Sequence, residues 1–271
     1  MTTRFYKTAL LTAFAALTLT GCFEKEMTVR DICEQQPQLC SDIASDNWCN
    51  LERRKVIFSR YARLQKDDGE HQYRLLRDLE SYSKCMELAS RIEHKQLKEK
   101  QSARIESYFA SMQAIDKLNE ETRNSENPLL LYWHWSRNGN TDAIDKLLTI
   151  EGSKQVQTPE LQLAYATYYA KANEDKTFEH LYRALSLYRK DAEVNPEIAV
   201  TLMTLNLARN NAKAAFIWGN IAHQLHARSL QWNDIVSATA PTEEQREQWL
   251  EQAEALLEKI QDGHFRAADA P

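Results

Sequence analysis

Apolar residues recur at helical spacing along almost the whole of this chain, interrupted by a few ordered polar turns. After Pro159, Leu161, Ala164, Tyr165 and Tyr168 share one helical face; past a turn at Asn173-Glu174-Asp175, Phe178, Leu181, Ala184, Leu185 and Tyr188 form another. The same plan follows Pro196, with Ile198, Leu202 and Leu205, a turn at Asn210-Asn211, then Ala215, Trp218, Ile221, Ala222 and Leu225. A shorter unit opens at Pro128 with Leu130, Leu131 and the run Trp133 to Trp135, turns at Asn138-Gly139-Asn140, and continues through Ala143, Ile144, Leu147 and Leu148. Apolar positions three and four apart mark amphipathic helices, so each unit predicts a helical hairpin. Each hairpin keeps an apolar face that only a neighbouring hairpin can bury, which is the energetic logic of a solenoid.

The breaks are as ordered as the faces. Asn127-Pro128, Thr158-Pro159 and Asn195-Pro196 each set a good N-cap directly before a proline suited to the first helical turn. Pro241 precedes Thr242-Glu243-Glu244-Gln245, which reads as a capping box opening the last helix. These marks follow one another after 31, 37 and 45 residues, a spacing that suggests stacked repeats. Residues 127–262 resemble tetratricopeptide repeats at Leu161, Ala164, Tyr168, Leu181 and Ala184, and again at Ile198, Leu205, Ala214 and Trp218. Tyr165 and Leu202 depart from the resemblance, since the family prefers a tiny residue at their position. An antiparallel bundle is the other packing open to the same pattern.

Residues 51–125 contain no proline and one glycine, Gly69, and read as three long helices. Leu51, Phe58, Tyr61 and Leu64 line the first; Tyr73, Leu76, Leu79, Tyr82, Met86, Ala89 and Ile92 the second; Leu97, Ile105, Tyr108, Met112, Ile115 and Leu118 the third. The expected fold class is therefore all-α, a repeat solenoid preceded by a long-helix region, with a frayed tail at 263–271.

The first residues follow a different rule. Arg4 and Lys7 precede an apolar stretch from Ala9 to Leu19, about half the roughly 20 residues that span a bilayer, so residues 1–21 read as a cleaved signal. The run Leu19-Thr20-Gly21-Cys22 resembles a bacterial lipobox, which implies cleavage before Cys22 and acyl chains on that residue. Phe23, not Asp, follows it, as in lipoproteins sorted to the outer membrane. An ordinary secreted protein with a cysteine in its signal is the alternative. Loss of residues 1–21 removes two bases and no acid, moving the net charge from −5 to −7. A basic nucleic-acid footprint is absent. Residues 51–125 hold 16 bases and 13 acids, and residues 127–271 hold 14 and 19, so a mildly basic region lies nearer the anchor than the acidic repeats.

Four cysteines remain: Cys33, Cys40, Cys49 and Cys85. An even number in an oxidising compartment argues for two disulfides, and four cysteines allow three pairings. The preferred pairing is Cys33 with Cys40, closing a small loop around Pro37, and Cys49 with Cys85, pinning that region to a later helix. Close C-x-x-C pairs, which zinc sites and redox catalysts use, are missing. The disulfides would staple residues 26–50 of a lipidated, Cys-rich linker at 22–50, a segment too polar and short to build its own core.

Candidate chemistry is sparse. His223 and His226 are three apart on a predicted helix, yet no nearby Cys, Asp or Glu completes a metal site. The two tryptophans of Trp133-His134-Trp135 point about 200° apart on a helix, so they do not form a single cage; one packs inward and the other is a possible hot spot. Asp67-Asp68, Glu120-Glu121 and Glu243-Glu244 sit at helix ends, where dipole and solvation roles suffice. Arg53-Arg54-Lys55, with Arg60 and Arg63, would meet anionic headgroups or form a solvated face. No G-x-S-x-G, H-E-x-x-H or glycine-rich phosphate loop occurs.

The whole chain resembles uncharacterised lipoproteins of gamma-proteobacteria, a group from which no active residue carries over. The expectation is a non-enzymatic outer-membrane lipoprotein facing the periplasm, without cofactor or metal, anchored through Cys22. Its solenoid would bind a periplasmic or outer-membrane client protein, with Trp133, Tyr165, Tyr168 and Tyr169 as contacts. The alternative is a binder or enzyme acting on cell-wall glycan or a small ligand.

Overall fold

The computed structural model describes residues 27–45, 47–92, 98–227 and 230–271; Cys22 and the signal segment lie outside them. Among the described residues the regular elements are twelve α-helices and three short 3-10 turns, with no strand. The first unit comprises α1 (Val29–Gln35), α2 (Asn50–Gln65), α3 (Gly69–Ser90) and α4 (Lys98–Thr122). Helix α3 lies in the middle, packed against α2 on one side and α4 on the other. Its apolar positions Tyr73, Leu76, Leu79, Tyr82, Met86 and Ala89 are all buried, as their spacing predicts. The cysteine-rich segment has no core of its own and instead donates Ile32 and Ile43 to this one. Both preferred disulfides are present, Cys33–Cys40 and Cys49–Cys85. The second fastens the start of α2 to the last turns of α3.

Three antiparallel hairpins follow: α5 (Pro128–Asn138) with α6 (Thr141–Thr149), α7 (Pro159–Tyr169) with α8 (Glu174–Ser186), and α9 (Pro196–Ala208) with α10 (Ala212–Gln224). Each first helix begins at the expected proline, and the preceding residue caps it. The side chains of Asn127, Thr158 and Asn195 accept hydrogen bonds from the amides of Leu129, Leu161 and Glu197. Helix α5 meets α7, and α8 meets α9, so the hairpins stack as a solenoid. Helix α3 also packs on α5, and Gly69 at its start permits the approach. A Cβ there would lie 2.5 Å from Cγ of Asn127, the residue that caps α5.

The end of the array differs from the repeat plan. Helices α11 (Trp232–Thr239) and α12 (Glu243–Gln261) both pack on α10, and Thr242 with Gln245 forms the expected capping box. Residues 263–271 do not fray. Phe265 is 3% exposed and its ring lies 6.4 Å from that of Trp218 and 6.3 Å from that of Tyr182. The Lys259 ammonium donates to Asp269 at 2.8 Å, and the Asp191 amide donates to the Gln261 carbonyl at 3.0 Å. One buried ring and the Lys259–Asp269 pair hold a segment whose composition alone reads as loose.

His134 couples this fold to pH. It is 4% exposed; Nε2 lies 3.0 Å from both the hydroxyl and the carbonyl oxygen of Thr122, and Nδ1 lies 2.9 Å from the Asn138 amide. Burial pushes its pKa down, and the Arg123 charge acts in the same direction, outweighing the Thr122 carbonyl. The unfolded chain therefore binds this proton more readily, so the contribution of His134 is complete above about pH 6.5 and is lost as pH falls through the folded value. Urea unfolding from pH 7.5 to 5.0 is expected to show falling stability. His134→Gln, at a cost of about 1–3 kcal/mol at pH 7.5, flattens that slope.

Candidate functional site

A concavity of about 740 Å³ opens where the N-termini of α5, α7 and α9 line up beside α3. A second hollow of about 290 Å³ adjoins it, sharing Arg77, Glu160, Leu163 and Asn195, so the two form one groove along the first helices of the hairpins. The repeat pattern accounts for its walls, because the same capped turn recurs in each unit and stacking brings the turns side by side. Their capping bonds are already made, so the groove owes its character to side chains between them.

At its centre Tyr73 Oη donates to Glu160 Oε1 at 2.8 Å, while Arg77 Nη1 donates to the same carboxylate oxygen at 2.5 Å and to the Tyr73 hydroxyl at 3.1 Å. Beside it Arg137 grips Glu80 with two bonds of 2.8 and 3.3 Å. The Arg77 and Arg137 guanidinium groups lie 5.8 and 5.5 Å over the rings of Tyr73 and Trp133. Those two rings meet edge to face at 6.3 Å. Burial, and after it the Glu160 charge, holds the Tyr73 hydroxyl well above its usual pKa, so it remains a donor at neutral pH. Burial tends to raise the Glu80 pKa, but the hydrogen bond and charge of Arg137, with Lys84, bring it below the usual range. The Arg77 and Glu160 side chains are 43% and 41% exposed, which leaves both free to exchange partners with an incoming charged group.

This site is not the one the tyrosine pattern suggested. Trp133 and Tyr165 are 3% and 0% exposed and cannot present a ring to a partner. Trp133 Nε1 donates to Asn119 within the fold, and Tyr165 Oη donates to the Leu147 carbonyl in α6. Tyr165 thus fills with its ring and hydroxyl the space between hairpins where a tetratricopeptide repeat has a tiny residue. Tyr168 and Tyr169 are half-buried, but α7 offers the groove Leu163 and Thr167 instead. Tyr168 packs on Trp135 at 5.7 Å, and Tyr169 stacks on His180 at 5.6 Å. Tyr169 also joins Lys176 and His180 around the Glu151 carboxylate, a half-buried polar knot between hairpins.

The remaining candidates separate. Helix α10 ends at Gln224, so His226 lies beyond it, and His223 stacks on Trp232 at 5.6 Å. Among the described residues no group of three or more His, Cys, Asp or Glu side chains is placed to hold a metal ion. Arg60 is held by Asp42 at 2.6 and 2.7 Å, and Arg63 bridges Asp67 and Glu121, both at 2.8 Å. Asp68 caps α3 through the His71 amide. Sequence reasoning missed Tyr73, Arg77, Glu80, Glu160 and Arg137. The available signal was the i, i+4, i+7 stripe of Tyr73, Arg77 and Glu80, which places polar groups beside an apolar face.

The chain belongs to the family DUF2989, described as proteins of unknown function, whose model matches residues 19–220. That span holds all five cysteines and every groove residue named above. No curated protein and no solved structure matches the chain.

Proposed function

We propose that this member of a family without an assigned function is a bacterial outer-membrane lipoprotein that holds a segment of a client protein in the groove between α3 and the first helices of its solenoid. Cleavage before Cys22, with several acyl chains on that residue, would make attachment effectively permanent, at roughly 0.8 kcal/mol per buried methylene. Tethering then raises the local concentration of solenoid and client at one membrane face. The run Leu19-Thr20-Gly21-Cys22 supports the address, and Phe23 supports the outer membrane.

The observation that carries the binding role is the Arg77–Glu160 pair, two partly exposed opposite charges at the centre of an open groove. A peptide segment with side chains of both charges can replace each partner in turn. A sugar would favour open rings to stack on; Tyr73 and Trp133 at this centre are buried, and Tyr132 and Tyr188 on the walls are half-buried.

A photocrosslinking residue at Thr201 in α9, on the groove wall, tests the reading in intact cells. A discrete adduct is expected, falling about tenfold when Arg77→Ala and Glu160→Ala are combined, the equivalent of about 1.4 kcal/mol. Circular dichroism checks that the variant is folded. The same adduct from a probe at the exposed Gln252 of α12, or an adduct indifferent to the two substitutions, refutes the groove as the binding surface.

A further inference from the structure

Large apolar side chains left open to solvent are confined to one part of this molecule. Among the described residues those that are markedly exposed are Trp48, Leu51, Leu64, Leu88, Ile105, Phe109 and Met112, and the solenoid supplies none of them. Leu64 lines a separate hollow between α2 and α4. Of the other six, Trp48, Leu51 and Leu88 lie at one end of the first unit, and Ile105, Phe109 and Met112 run from that end to the middle of α4. The Cys49–Cys85 disulfide brings the start of α2, with Trp48 and Leu51, to the last turns of α3, where Leu88 lies. Arg104 of α4 reaches the Ala89 carbonyl at 3.0 Å and lies 5.8 Å over the Trp48 ring, joining α4 to the same end. Along α4, Ile105, Phe109 and Met112 recur at i, i+4 and i+7, while Arg104, Ser107, Ser111 and Leu118 are buried on the other side. A stripe of that kind on a helix that packs chiefly on a single neighbour marks a contact surface.

We infer that this end of the first unit rests on the lipid bilayer, with Phe109 and its neighbours inserted among the headgroups. The inference rests on the reading of Cys22 as the lipidated residue. Five residue steps separate Cys22 from Met27, where the described chain begins, so the anchor lies within about 18 Å of a unit that Met27 itself packs against. Of the two halves of the protein, the one held at the membrane is thus the one that carries the exposed apolar residues. It is also the one whose charges balance, with 17 bases and 17 acids over residues 27–125, against the acidic solenoid beyond. A second copy of the chain is a poorer occupant, because a stable protein interface engages about 20–30 residues a side and this patch offers six apolar ones. An interface of lipid requires only side chains of this type, tryptophan, phenylalanine and leucine, at headgroup depth. The surface would fix the orientation of the molecule, so that the groove has one defined direction relative to the membrane.

Nitroxide labels on the full lipidated protein in phosphatidylethanolamine–phosphatidylglycerol vesicles test this. Labels introduced through Phe109→Cys and Leu88→Cys are expected to collide with oxygen several-fold more often than with a water-soluble nickel reagent. A label at the exposed Glu254 of α12 is expected to show the reverse. Ile105→Asp combined with Met112→Asp should return the Leu88 label to water while leaving the helical content unchanged. Nickel-accessible labels at 88 and 109 overturn the inference, and so do labels shielded from both reagents, which mean burial in protein. The mass of the mature chain separates the two readings: an unacylated Cys22 overturns the anchor and this surface together, whereas an acylated chain with water-exposed labels overturns the surface alone.

Discussion

Removing the Cys49–Cys85 disulfide by paired alanine substitution is expected to lower the stability of the protein by about 4 kcal/mol. The bond closes a loop of 36 residues, and restricting an unfolded chain over that length gives an entropic effect of this size. Cys49 is fully buried, so alanine keeps the site apolar and the loss reports the crosslink and a small cavity. Cys33–Cys40 spans seven residues, and its removal is expected to cost about 2 kcal/mol on the same reasoning. Urea unfolding of the two double variants, measured without reductant beside the unaltered protein, tests the order. Equal losses would show that the long loop is already ordered in the unfolded chain.

Trp218→Ala is expected to cost about 3–5 kcal/mol, the range for emptying a large aromatic site in a core. Trp218 is 0% exposed at the centre of the largest apolar cluster, where helices α8 to α12 and Phe265 meet. Total stabilities are about 5–15 kcal/mol, so one substitution removes a large share. Trp218→Phe is expected to cost much less. Among the described residues Nε1 of Trp218 has no hydrogen-bond partner, so phenylalanine forfeits volume but also removes a buried donor. Urea midpoints separate the two variants, and limited proteolysis of Trp218→Ala should cut α9 to α12 before α2 to α4. Similar midpoints for both variants would refute the emptied cavity as the source of the loss.

What could be read from the residues was local. Helical faces follow from spacing, and the capped starts at Asn127, Thr158, Asn195 and Thr242 follow from a side chain and its neighbours within three positions. The disulfide pairing was legible because short-range closure and a later pin leave a sensible partition of four cysteines. The opposed directions of Trp133 and Trp135 came from the helical period alone. The groove was hidden for a complementary reason: Tyr73 and Arg77 meet Glu160 across 87 and 83 residues, and no local pattern specifies that register. The same ignorance of neighbours misplaced Tyr165 and Tyr169, since their inward face is set by Leu147 of α6 and His180 of α8. A tail with one anchoring ring has no period to detect, so Phe265 was invisible until its contacts were known.

The return of residues 263–271 across the solenoid has a consequence for the order of folding. A chain emerging in sequence order presents its repeats before Phe265, so Trp218 and Tyr182 lack that ring until it arrives. Gly263 makes the turn at φ +74, passing so near the Tyr188 carbonyl that a Cβ would stand 3.0 Å from it. Folding of the outer repeats is therefore provisional until the closing turn is in place. A product cut short of Phe265 would keep its groove yet display an open aromatic seam, the kind of surface by which quality-control proteases tell an unfinished molecule from a finished one.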